Sequence, residues 1–305
     1  MKKSNIPHIV KAKQPTIVNK DPFKTEKLEK GNTELFEKRM NKFFDAIKSK
    51  LKKHFESREL EVSPNQAITM KIVDESLEAF ETDDLKLESW DFTKKGYIKG
   101  VQLGSQQMQP LGMDVSLNLG NKLSKKTLLD LQKKYDDKID TWISNIQKQV
   151  QDIVYTGLED GETLFHIIEN LDDELKVGLT EAKRLATNEI IDAARRAEKD
   201  LYLSAGIEIY TWITVTDTRT CETCLALNGI TFTIDQAGRG LVDFDTGQFL
   251  SDTLAGLTPD ERFISPEDGK YGPPIHDWCR CHLAPVMTED QYKGNVTKIV
   301  SEVEA

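Results

Sequence analysis

The sequence predicts an α+β fold: a mainly helical body followed by a small C-terminal α+β domain that Cys and His residues hold together. Three observations predict it. Apolar residues recur at three- and four-residue spacing over long stretches between residues 33 and 204, the period of an amphipathic helix. After Gly206 the pattern changes to a β-rich run, Ile207, Ile209, Tyr210, Trp212, Ile213 and Val215. All four cysteines then fall within residues 221–281.

The elements follow in order. Residues 1–31 read as a flexible basic arm, with Pro7, Pro15, Pro22 and eight lysines but too few large apolar side chains to offset the entropy of ordering. Residues 32–125 form a region with amphipathic helices. The first helix, 33–56, carries the stripe Phe36, Met40, Phe43, Phe44, Ile47, Leu51 and Phe55, with lysines filling its other face. That stripe has two readings: a face packed on the protein's own body, which periodic aromatic stripes usually are, or a docking face for another subunit. A second helix is expected over 66–82 through Ile68, Ile72, Val73, Leu77 and Phe80. From Leu85 to Gly120 the pattern is mixed, and Gly96, Gly100, Gly104, Pro110, Gly112 and Gly120 predict short strands or an irregular connector.

Residues 126–206 form the helical body. Its expected helices are 124–156, stopped by Gly157 and Gly161, then 162–176, and then 180–204, which opens on half a capping box at Thr180 and ends at Gly206. Residues 207–305 form the C-terminal domain. Asn228-Gly229 is a turn signal ahead of Ile230, Phe232 and Ile234; residues 235–275 read mostly as loop, and 279–286 as a last strand.

The net charge of −10 is unevenly spread. Residues 1–60 hold sixteen basic and eight acidic side chains, whereas residues 207–305 hold seven and sixteen. A basic head on an acidic body fits an acidic partner, nucleic acid or protein, although lysine runs are most often simply solvated. The first residues contain no apolar stretch of signal-peptide length, and no run of about 18 apolar residues occurs, so synthesis in a cytosol and no membrane span are expected.

The cysteines carry the chemistry. Cys221-Glu222-Thr223-Cys224 is a C-x-x-C, and His276-Asp277-Trp278-Cys279-Arg280-Cys281 is an H-x-x-C-x-C, with 51 residues between the two clusters. Zinc takes four soft or borderline ligands in a tetrahedron, and two paired clusters from distant parts of a chain can supply them. Cys221, Cys224, His276, Cys279 and Cys281 are therefore five candidates for four places, and spacing leaves open which four bind. A zinc closing so long a loop would be structural, tying down a polar domain with little core of its own. Disulfides would need an oxidising compartment. A surplus of ligands argues against the open position of a catalytic zinc. The one H-x-E, His54-Phe55-Glu56, lacks the P-C-x-x-C of a zinc deaminase, and Gly238-Arg239-Gly240 is too short for a phosphate loop. Asp217, Arg219 and Asp277 are expected to form turn hydrogen bonds and an ion pair holding the metal loops rather than to act as acid and base. No catalytic residue and no enzymatic activity are assigned. The alternative reading is a zinc-dependent nucleic-acid enzyme such as a nuclease.

The run Thr216-Asp217-Thr218-Arg219-Thr220-Cys221-Glu222-Thr223-Cys224, then Leu227-Asn228-Gly229 and Phe232, and finally Pro273-Pro274-Ile275-His276-Asp277-Trp278-Cys279-Arg280-Cys281, resembles the C-terminal domain of phage Mu F-like head-morphogenesis (minor capsid) proteins. The helix from Ala182 to Ala205 resembles that family's alanine-rich helix, with Glu189 at its acidic position and Thr187-Asn188 where Arg-Thr is common. The resemblance covers about residues 130–290. It implies a minor head protein of a tailed phage that binds the portal protein during procapsid assembly, stays in the virion near packaged DNA and serves its delivery. The expected location is then the inside of the head, and the host cytoplasm during assembly. The portal is the partner expected for the helix over 33–56. Packaged DNA is a second expected partner, through the basic N-terminal region.

Overall fold

The computed structural model describes residues 9–11, 25–56, 66–78, 82–235, 240–255 and 272–288. Five helices come first: α1 (Glu26–Glu56), α2 (Gln66–Glu78), α3 (Thr82–Met108), α4 (Lys122–Glu159) and α5 (Leu164–Ser204). A short strand, β1 (Ile9–Lys11), precedes them. The C-terminal part runs β2 (Ile209–Ile213), α6 (Glu222–Leu227), β3 (Thr231–Ile234), β4 (Leu241–Asp243), α7 (Leu250–Ala255) and β5 (His282–Thr288). The α+β class, with helices first and a small sheet last, is as the sequence predicts. No helix among the described residues is long and apolar enough to cross a membrane.

The chain divides into two compact units. One comprises residues 27–92 and 130–189; the other comprises 1–26, 93–129 and 190–305. The helices α3, α4 and α5 each contribute a part to both. The division differs from the linear succession of regions read from the sequence, because long helices carry the chain back and forth between two cores.

Among the described residues, the first unit is built of helices. The α1 stripe Phe36, Met40, Phe43, Phe44, Ile47 and Leu51 is buried in its core with Ile139, Trp142, Ile146 and Val150 of α4 and Ile167 and Leu171 of α5. The Phe36 and Trp142 rings lie 5.5 Å apart, tilted. Burial of each such side chain stabilises by about 1.5–3 kcal/mol, so the stripe is core and is not available as a docking face for a portal. Phe55 and Phe80 lie outside the residues whose side chains are described. A buried polar knot sits in the same unit. Glu189, only 2% exposed, accepts hydrogen bonds from Ser89 Oγ at 2.6 Å and from Asn32 Nδ2 at 3.2 Å. Its acidic position in the α5 sequence is thus accounted for by packing, since a buried carboxylate must have donors.

Two helical expectations are corrected. The stretch from Leu85 onwards is not a connector, because α3 runs unbroken to Met108. Gly96, Gly100 and Gly104, four residues apart, share one helical face and let α5 approach backbone to backbone. A Cβ on Gly100 would lie 2.1 Å from the Ala194 carbonyl oxygen, and one on Gly96 would lie 3.2 Å from that of Ile190. The small residues Ala193 and Ala194 make the contact from α5. The glycines cost helix propensity, and the close packing offsets it. The second correction merges 162–176 and 180–204 into one 41-residue helix. Gly178 does not break it: a Cβ there would meet Met40 Cε and Ile146 Cδ1 at 2.9 Å. Thr180 is no cap either, since its hydroxyl donates to the Lys176 carbonyl within the helix. Gly157 likewise lies inside α4, and the turn falls at Gly161, where φ is +67°.

The second unit holds a five-stranded antiparallel sheet in the order β1-β5-β2-β3-β4. In the centre, Trp212 pairs with Leu283 and Tyr210 with Phe232. Tyr210, Trp212, Phe232 and Leu283 pack with Leu201 and Tyr202 of α5. The arm expected over 1–31 lies largely outside the described residues. Its described parts are β1, paired with Val286–Thr288 of β5, and the opening of α1, which begins at Glu26 and not at residue 33. The loop expected over 235–275 contains β4 and α7, and the last strand starts at His282, leaving Cys279–Cys281 just ahead of it.

The glycine face makes a graded prediction. Gly100→Ala must push against the Ala194 backbone, which cannot yield, and should destabilise by several kcal/mol, beyond the 1–3 typical of overpacking. Gly104→Ala meets a Leu201 methyl at 2.9 Å, which can rotate away, and should cost less. Thermal unfolding of both variants is the measurement; equal losses would refute the backbone contact.

Candidate metal centre

Two loops of the second unit bring the Cys and His residues together. The first leaves β2 at Ile213 and makes a tight turn. Asp217 Oδ1 accepts from the Arg219 amide at 2.9 Å, and Thr220 Oγ1 donates to the Val215 carbonyl at 2.5 Å. This turn delivers Cys221 as the N-cap of α6, with extended backbone (φ −72°, ψ 158°), and its sulfur accepts from the Cys224 amide at 3.4 Å. Both sulfurs of the C-x-x-C thereby point to one side of the first helical turn. Asn228-Gly229 then closes α6, not a strand as in a hairpin; Gly229 adopts φ +86°, and its amide donates to the Trp212 carbonyl at 2.8 Å.

The second loop turns at His276–Cys279, where the Cys279 amide donates to the His276 carbonyl at 3.2 Å. Trp278 occupies the left-handed region at φ 61°, rare for a residue with a Cβ, and its side chain is 44% exposed. His276 Nδ1 lies 2.6 Å from the Asp277 carbonyl oxygen. A carbonyl only accepts, so Nδ1 carries the proton, and in the neutral ring Nε2 presents a lone pair. That lone pair faces Cys221 Sγ at 3.2 Å and Cys224 Sγ at 3.0 Å. Cys224 Sγ is 3.9 Å from Cys279 Sγ.

All five candidates of the sequence reading are thus brought together, in two overlapping groups that share Cys224: Cys221, Cys224 and His276, and Cys224, Cys279 and Cys281. Within each group the ligand atoms lie within 4.8 Å of one another, and each group can hold a metal ion. The four cysteines are free, and 3.9 Å is far beyond the ~2.05 Å of a disulfide. A tetrahedron with metal–sulfur bonds of ~2.3 Å has sulfur–sulfur edges of about 3.8 Å, close to the Cys224–Cys279 separation. Cys224, Cys279 and Cys281 are buried, so a thiolate there needs a cation to replace lost hydration.

The electrostatics point the same way. Burial by itself disfavours a Cys279 thiolate, yet hydrogen bonds from Cys224, Cys281 and His276 hold its thiol well below the usual range. The Cys224 thiol is pushed far up by its hydrogen bonds to Cys279 and Cys281. Burial opposes charge on His276, but its contact with Cys279 wins and draws it up to about 9. The thiols compete for one negative charge, a conflict that a central divalent cation removes.

An ion pair clamps the two loops to each other. Arg280, between Cys279 and Cys281, donates from Nη1 and Nη2 to the Asp217 carboxylate at 2.7 and 2.6 Å. The Arg280 fork, followed by the Arg219 amide, holds the Asp217 carboxyl well below the usual carboxylate range. The turn and ion-pair roles expected of Asp217 and Arg219 are what the geometry displays, while Asp277 contributes its carbonyl to the His276 ring. Two residues escaped the sequence reading. Thr214 donates through Oγ1 to the Cys224 carbonyl at 2.7 Å, and Arg195 of α5 donates through Nε to the Cys281 carbonyl at 2.6 Å. Arg195 gave no signal, because with Glu198 three residues on it looks like an ordinary helix-surface pair. In fact both are buried. His282 follows the cluster but is held neutral by burial and by Arg195, which bring it down to about 3. The side chains of His54 and Glu56, and Arg239, lie outside the described residues.

Asp217→Ala removes the acceptor of both Arg280 and the Arg219 amide. The 217–220 amides should then exchange with deuterium at least several-fold faster, while amides in the middle of α5 keep their protection. Exchange read by mass spectrometry checks this, and unchanged protection at 217–220 would show that the clamp holds nothing.

No curated protein and no solved structure matches this chain. A family model does match, over a segment that begins within α4, takes in all of α5 and the two loops of the metal centre, and ends in β5. From residue 148 to residue 284, this chain matches the family model described as Phage Mu protein F like protein.

Proposed function

We propose that this protein is a minor head protein of a tailed phage, acting at the portal in procapsid and head assembly, retained inside the virion and serving delivery of the packaged DNA. The observation that carries this reading is the family match over 148–284, a segment that contains all five Cys and His residues of the metal centre. Members of the family are typically structural, and the cluster fits a structural role, since five donors in two overlapping groups outnumber the four places of a closed tetrahedral site.

In this reading the metal is zinc. When bound, it supplies a cross-link between the α6 loop and the loop ahead of β5. Closing a loop of that length restricts the unfolded chain by about 4 kcal/mol, by the same reasoning as for a disulfide. The chain's own residues do the rest: Thr214 and Arg195 fix the backbone of two candidate ligands, Cys224 and Cys281, Asp217 and Arg280 hold the loops in register, and Asp277 sets the His276 tautomer. Because the apolar stripe of α1 is core, the portal interface is assigned to other surfaces. Among the described residues, the exposed lysines of α1, Lys38, Lys42, Lys50, Lys52 and Lys53 included, offer a basic face to DNA.

Freshly purified, reduced protein should contain close to one zinc per chain, and Cys221→Ser/Cys224→Ser should lose it together with the sheet unit's cooperative unfolding. Elemental analysis finding no metal would remove the zinc reading. The full chain should also co-purify with the portal protein of its own phage. Failure to co-purify at any salt concentration would sink the assignment to the portal. DNA binding by the lysine face should instead weaken steeply with salt, as each neutralised phosphate releases counterions.

A further inference from the structure

We propose that Trp278 anchors a protein-docking surface, a shallow cleft between the two loops of the metal centre that takes a partner segment presenting an apolar side chain beside a carboxylate. This rests on the reading of the chain as a portal-binding head protein and names the surface that meets the portal.

The backbone singles out Trp278. The Cys279 amide donates to the His276 carbonyl, so His276–Cys279 is a four-residue turn with Trp278 at its third position. Among the described residues Trp278 is the only non-glycine with positive φ, so Asp277 before it has negative φ and the turn is of type II. The third position of such a turn favours glycine, because a Cβ there crowds the backbone. Placing His276 and Cys279 requires the positive φ but not an indole. The core does not hold the ring either: Trp278 is 44% exposed, whereas Trp142 and Trp212 are buried. A large aromatic side chain kept at a strained position and left at the surface is accounted for by a contact made outside the chain.

The surroundings of the indole set the kind of partner. The cleft beside it is lined by Val215, Arg219, Thr220 and Arg280. It encloses about 210 Å³, below the roughly 300–1,000 Å³ of a small-molecule site, and so suits one or two side chains of a protein. Both oxygens of Asp217 are taken by the Arg280 fork, and Arg219 reaches that carboxylate through one 3.4 Å contact from Nη2. The Arg219 side chain is 65% exposed, which leaves donors open to a carboxylate on a partner. Leu225, next to Cys224 on α6, is exposed to the same degree as Trp278. Exposed Trp and Arg side chains are the residues that most often dominate the affinity of a protein interface. Nucleic acid fits less well, because residues 207–305 hold seven basic and sixteen acidic side chains and repel phosphates.

The test measures the affinity of the full chain for the portal protein of its own phage, beside thermal unfolding. Trp278→Gly should unfold at the wild-type temperature or higher, because glycine suits positive φ, yet bind the portal about thirtyfold more weakly, the loss expected of a central aromatic anchor. Trp278→Phe should bind within a few-fold of wild type, and Arg219→Glu should bind more weakly than wild type. Unchanged portal binding by Trp278→Gly would overturn the assignment. So would its failure to fold, or unfolding at a clearly lower temperature, which would make Trp278 a packing residue of its loop. Equal or tighter binding by Arg219→Glu would remove the carboxylate from the partner. A Trp278→Gly chain that keeps the portal but loses affinity for single-stranded DNA would assign the cleft to nucleic acid instead. A wild-type chain that does not bind the portal brings down the portal reading itself, an outcome distinct from a wrong choice of surface.

Discussion

The contact on which the sheet unit depends is that of two helix backbones, α3 at Gly100 and α5 at Ala194. A methyl group has no room between them. That approach seats the end of α5, and α5 in turn does two things for the metal centre. It hands the chain to β2 through Gly206, whose φ of +74° stops the helix, and it presents Arg195, one residue beyond Ala194, to the carbonyl of Cys281. Burying a guanidinium is costly unless it is satisfied, and the Cys281 carbonyl together with Glu198 satisfies it. The position of the second ligand loop is thus tied to helix packing that contains no ligand at all.

Around the cluster the order of construction runs from local to distant. Each loop is shaped by its own short hydrogen bonds, the Asp217–Thr220 turn on one side and the His276–Cys279 turn on the other. The Asp217–Arg280 fork then joins the loops across 63 residues of sequence. An exposed ion pair contributes little stability on its own, but a bidentate pair fixes direction as well as distance. With the loops set, the five donors converge, and the thiols are left in electrostatic conflict that a divalent ion relieves. The two overlapping groups of donors could hold a metal ion.

The helical unit uses the same economy of space with different residues. Its long helices bury aromatic and aliphatic stripes, and the polar groups left inside are matched to one another: Glu189 receives both Ser89 and Asn32. Gly178 in mid-helix makes room for Met40 and Ile146, as the α3 glycines make room for α5. Glycine in this chain serves close packing at several positions where a linear reading takes it for a breaker.

Periodicity and spacing by themselves determined the helical stripes of α1 and α4, the change to strands after Gly206, and the five metal-site candidates, because each is a repeat or motif written in neighbouring residues. They also carried the family resemblance, which sits in the same short runs. They could not show that α3 and α5 are continuous, since a glycine's role depends on what lies opposite, and that neighbour is about a hundred residues away. They could not show whether the α1 stripe faces the protein's own core or a partner, since both demand the same amphipathic pattern. Nor could they find Arg195 and Thr214, whose side chains are unremarkable in sequence and act through backbone carbonyls that folding brings to them. Residue type determined which atoms can ligate, donate or pack; only the tertiary structure decided which of them meet, because hydrogen bonds and close contacts depend on positions that no local pattern records.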